Sequence, residues 1–83
     1  MMNLERAAMK GQLADFESQK KRLILRAEAS AGRIRTILNT ALTPVEDQEI
    51  AEADQLMDDL VSIHGEIAGL NGRIIRIRYE LGE

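Results

Sequence analysis

The stretch NTALTPVED, residues 39–47, holds the only proline of an 83-residue chain, and strong helix formers flank it on both sides. Pro44 suits the first position of a helix, where its missing N–H is not needed and its fixed φ is already helical. Thr43 is placed to accept from the Glu46 amide while the Glu46 carboxylate reaches back to the Thr43 amide, a capping box. Glu46, Asp47 and Glu49 then lie near the positive end of the helix dipole. The same proline disfavours helical geometry at Thr43, so a preceding helix must stop earlier. Asn39, able to adopt a left-handed conformation, is the expected terminator. The reading is one domain, residues 1–83: a helix over about 3–39, a turn over 40–43 and a helix over about 44–81. Asn3 is the expected cap of the first helix, with Glu5 in its first turn.

Working outward, the second segment keeps a strict heptad from Ala53. Ala53, Leu60, Ile67, Ile74 and Leu81 take one seam position, and Leu56, Ile63, Leu70 and Ile77 take the other. The first segment has a rougher seam of Leu13, Phe16, Leu23, Ala27, Ile34 and Ile37, interrupted by Lys20 and Ser30. Ile24, Ala31 and Leu38 widen it on one side. Each helix would run roughly 55 Å.

Charge favours folding the two segments together. Residues 1–40 carry eight basic against four acidic side chains, a net of +4, whereas residues 44–83 carry three against ten, a net of −7. A reversal near residue 42 sets the cations of Lys20–Arg35 beside Glu49, Glu52, Asp54, Asp58 and Asp59. It also sets Glu5, Asp15 and Glu17 near Arg73, Arg76 and Arg78. Exposed pairs are worth little individually, so this selects the register more than it stabilises the fold. The expected architecture is all-α, an antiparallel two-helix hairpin of coiled-coil type.

One hairpin of this size has little core with which to offset its ordering entropy. Met57, Val61, Ala68 and Ile75 add a second apolar strip beside the seam, wider than one neighbour covers. The chain is therefore expected to form a homodimer, two hairpins making a four-helix bundle. Leu56, Leu60, Ile63, Ile67, Leu70, Ile74 and Ile77 are the expected self-association residues, and an unidentified protein partner is the rival to a second copy.

Composition excludes several classes. There is no cysteine, hence no disulfide and no thiolate metal site. Phe16 and Tyr79 are the only aromatic residues. No secretory signal or bilayer-spanning run is visible, so a cytoplasmic protein without membrane contact is expected. His64 is alone, and no Glu-x-x-His pair suggests a metal in the bundle. With one histidine, no nucleophile–base set can be assembled. No catalytic residue, metal or cofactor is expected, and the chain reads as a non-enzyme.

Three surface features have both a functional and a plain reading. Gly65, Gly69 and Gly72 share one face opposite the seam, either as a smooth docking strip or as a tolerated exposed set. Lys20, Lys21, Arg22 and Arg26 could contact phosphates. The facing acids, the net charge of −3 and the lack of interleaved aromatics argue against nucleic acid. The acidic run from Glu46 to Asp59 lacks EF-hand spacing and reads as a solvated face.

The start MNLER, the basic stretch KKRLILRAE and the junction from Arg35 to Pro44, RTILNTALTP, resemble small uncharacterised proteins encoded in Mu-like prophages. That resemblance implies a phage accessory protein and brings no activity or functional residue with it. The function expected is a structural or protein-interaction module. The alternatives are a nucleic-acid-associated phage factor using the basic residues of the first helix, or a helical inhibitor of a host enzyme.

Overall fold

A computed structural model describes residues 2–83. Helix α1 spans Met2–Ile37, a single 3-10 turn covers Val45–Asp47, and helix α2 spans Ile50–Leu81. The two helices pack against each other as an antiparallel pair measuring 65 × 16 × 16 Å.

The heptad of α2 is its burial pattern. Ala53, Ile63, Leu70, Ile74, Ile77 and Leu81 are buried, and Leu56, Leu60 and Ile67 are half-buried. On α1 only Ile37 is buried, while Met9, Leu13, Phe16, Lys20, Leu23, Ala27, Ser30 and Ile34 are half-buried at the same 3–4 spacing. The weaker burial follows from the side chains. Ala27 and Ser30 are too short to bury much, and Lys20, half-buried, belongs to a residue type that buries its stem and keeps its charge in water.

Two ion pairs fix the register. Arg33 donates from Nε and Nη2 to the two Glu52 oxygens at 3.1 and 3.0 Å, on one flank of the seam. On the other flank Arg78 donates from Nη2 to Glu17. Both are flank-to-flank partners of an antiparallel heptad pair, and together they set Ile37 opposite Ala53, Leu23 opposite Ile67 and Phe16 opposite Ile74. Each of the two expected cation–anion groupings is represented by one pair. The reversal is centred a few residues later than expected, near residue 45 rather than 42.

The connection corrects several boundaries. Helix α2 begins at Ile50, not at Pro44, and the capping box of Thr43 and Glu46 is not formed. Thr43 instead donates its N–H to the Asn39 carbonyl at 3.1 Å and accepts at its own carbonyl from Gln48 Nε2 at 3.2 Å. Pro44 has φ −57° and ψ 150°, extended rather than helical, and its carbonyl accepts from Asp47 N–H at 2.9 Å to close the 3-10 turn. Gln48 is extended again, with φ −73° and ψ 142°. The register explains the delay. Ile37, the last residue of α1, lies opposite Ala53, so a helix begun at Pro44 would run past the end of α1 with no helix to pack on. Helical stability in proteins comes mainly from such packing, and α2 starts only at Ile50, one turn before its first buried contact.

Asn39 does end the approach to the turn, though by another route. No residue but Gly82 has positive φ among those described. The Asn39 side chain accepts from the Ala41 N–H at 2.9 Å, and its carbonyl accepts from both Leu42 and Thr43. This is the side-chain mimicry of a backbone turn that asparagine favours. Asn3 lies within α1 rather than capping it.

Candidate functional site

The seam residues Leu56, Leu60, Ile63, Ile67, Leu70, Ile74 and Ile77 face α1 of the same chain. Ile63, Leu70, Ile74 and Ile77 are buried there, and Leu56, Leu60 and Ile67 are half-buried. What the hairpin offers to other molecules lies on its two flanks, and these differ in chemistry.

One flank is apolar. From α1 it takes Ile24, Ala31 and Leu38, and from α2 Ile50, Met57, Val61, Ala68 and Ile75, all by the register that the Glu17–Arg78 pair fixes. Exposure here is large for aliphatic side chains: 52% for Ile50, 50% for Met57, 64% for Val61 and 66% for Ile75. His64 and Asn71 interrupt the strip, and the Glu17–Arg78 pair closes it at the end far from the turn. The total accessible surface of 6340 Å² exceeds the roughly 5,000 Å² of a compact globule of this mass. The excess follows from the elongated shape, 65 Å long and 16 Å across.

The opposite flank is polar. It begins at the turn with the Arg33–Glu52 pair, both partners about half exposed. That hydrogen-bonded contact holds the Glu52 carboxyl below its ordinary range and raises the Arg33 guanidinium further. Farther from the turn, Gln19, Arg22, Leu23 and Arg26 of α1 and Ser62, Gly65, Glu66, Gly69, Leu70 and Arg73 of α2 line an open cleft of about 820 Å³. The Arg73 guanidinium lies over the Phe16 ring, 5.8 Å from its centroid, at cation–π distance. A Cβ built on Gly65, Gly69 or Gly72 would meet nothing within 4 Å. No contact inside the hairpin therefore calls for these glycines.

The four basic residues picked from the sequence do not form one stripe. Lys20 is half-buried at a seam position, Lys21 is exposed away from the cleft lining, and Arg22 and Arg26 border the cleft. Arg73, which joins them there, comes from the second helix, and its part in this cluster was missed because it is 47 residues from Arg26. The interaction of flank positions across an antiparallel pair was the signal that could have found it. Thr43 and Pro44 build the turn, with Glu46 exposed beside them.

Among the described residues no group of three or more His, Asp and Glu side chains could hold a metal ion, and no helix is long and apolar enough to cross a membrane. Comparison with protein-family models, with curated proteins and with solved structures gave no match.

Proposed function

We propose that the protein is a non-enzymatic helical interaction module whose apolar flank joins two hairpins into a four-helix bundle. The observation that supports it is the separation of chemistry on α2: the large aliphatic side chains that this helix leaves outside the seam, Ile50, Met57, Val61 and Ile75, gather on one side. Solitary exposed aliphatics are ordinary on protein surfaces, whereas a contiguous strip rimmed by charges marks an interaction surface. Two such strips set face to face would bury Met57, Val61 and Ile75 at a second seam, the usual solution for paired hairpins. A prophage accessory role fits an adaptor of this kind, and rests on the likeness of the RTILNTALTP junction alone.

Sedimentation equilibrium over the micromolar range tests the reading. The unaltered chain should sediment at twice its 9.3 kDa mass. Val61→Glu combined with Ile75→Glu should give a folded monomer, because a carboxylate in an apolar interface is strongly disfavoured. A monomer for the unaltered chain at every concentration overturns the self-association, and so does a dimer that ignores both substitutions.

A further inference from the structure

The polar flank carries a second surface, independent of the apolar one. Near the turn its charges are balanced, as Arg33 meets Glu52 in two hydrogen bonds. Along the cleft the balance fails: Arg22, Arg26 and Arg73 share the lining with one carboxylate, Glu66. The local charge is +2 on a chain whose net charge is −3. None of the three arginines has a carboxylate within ion-pair distance among the described residues. They come from both helices, so the hairpin itself brings them together. Arg73 is also steadied over Phe16.

From this cleft we infer a docking site for a carboxylate-bearing helix of a partner protein, with Arg22, Arg26 and Arg73 as the recognising groups. Guanidinium groups bind carboxylates through paired N–H donors, with more geometric specificity than an ammonium gives. The cleft runs along two parallel rods, and a third helix lying in it would complete a three-helix cross-section. Between the arginines the floor at Gly65 and Gly69 is bare backbone, which lets a facing helix approach closely. A polyphosphate chain fits less well. No aromatic face is among the lining residues for a base to stack on.

The test uses the full-length protein labelled with 15N and three probes. These are an alanine-based helical peptide with glutamates at i, i+4 and i+7, the same peptide with glutamines, and a thymidine 20-mer. The glutamate peptide should shift the amide resonances of Gly65 and Gly69, and the glutamine peptide should not. Arg22→Gln with Arg73→Gln should weaken the glutamate peptide at least about tenfold, in line with the loss of charge-assisted bonds. Gly69→Leu, which fills the floor while keeping every charge, should abolish the shifts. Unchanged circular dichroism shows that each variant is folded. The inference is overturned if the glutamate peptide leaves both glycines unmoved, or if the oligonucleotide binds there more tightly. It is equally overturned if Gly69→Leu changes the oligomeric mass, which would make the cleft a contact between copies. Val61→Glu with Ile75→Glu should leave peptide binding intact, so failure of self-association and failure of docking are read separately.

Discussion

Gly82 is the one described residue with positive φ, at +80°, and it ends α2. Its N–H donates to the Tyr79 carbonyl at 3.0 Å and the Glu83 N–H donates to the Arg78 carbonyl at 2.9 Å, the paired bonds of a Schellman closure. A side chain at that φ is strained, so Gly82→Ala should lower stability by about 1 kcal/mol. Gly65, Gly69 and Gly72 have ordinary helical φ and open space around the missing Cβ. Alanine at each should raise stability by up to about 1 kcal/mol. Thermal unfolding of the four single variants measures both signs, and equal destabilisation at all four sites would contradict the account. Chemically the same residue, glycine, is needed at one place and tolerated at three, and only the backbone angle tells them apart.

At the scale of the element, α2 was legible because its nine seam positions are all apolar, so the pattern has no competing phase. Every one of them is buried or half-buried in the hairpin. The start of α2 was misread for a physical reason. Thr43, Pro44 and Glu46 satisfy every local preference for a helix start, yet a helix there would extend beyond the end of α1 at Ile37, with no partner to pack on. Tertiary placement prevailed over local capping, and Gln48 took an extended conformation instead. The two flanks were harder to see, since Ile24, Leu38, Val61 and Ile75 become one surface only when the register of the pair is known. Seam and flank should separate in experiment. Ile63, 3% exposed, should cost about 2–4 kcal/mol when replaced by Ala. Met57→Ala, measured on the monomeric Val61→Glu, Ile75→Glu background, should cost under about 0.5 kcal/mol. Denaturant unfolding of both gives the comparison, and similar losses would mean the seam is not the core.

The Arg33–Glu52 pair belongs to the same scale, since it ties the turn ends of the helices together. Glu52 titrates below its ordinary range when folded, chiefly through its hydrogen bonds to Arg33. A carboxyl lowered by folding supports the fold above its unfolded pKa, and that support fades as pH falls through the lowered value. The contribution is therefore present at neutral pH and lost in acid. In an NMR titration the Glu52 midpoint should rise toward the ordinary carboxylate range in Arg33→Gln. An unmoved midpoint would show that the pair does not persist in solution.

For the whole molecule, the decisive property is that one chain folds back on itself and leaves its two flanks different. A radius of gyration of 18.6 Å against about 12 Å for a compact chain of this length shows how little of the surface is hidden. Among the described residues no side chain is less than 2% exposed, so the seam alone makes a modest core, and under the proposed pairing the apolar flank is where a second copy would add most. The reversal itself can be measured directly, because the chain has no native cysteine. Ser18→Cys and Tyr79→Cys replace exposed residues on α1 and α2 that lie about two turns apart in height. Spin labels on both, with the doubly labelled chain diluted into unlabelled protein, report the distance within one chain by pulsed electron resonance. The hairpin predicts a single distance below about 30 Å, two closely packed helices plus the label arms. A distance near 90 Å, the span of an unbroken helix over the same residues, would contradict the intrachain seam, the two flanks and everything drawn from them.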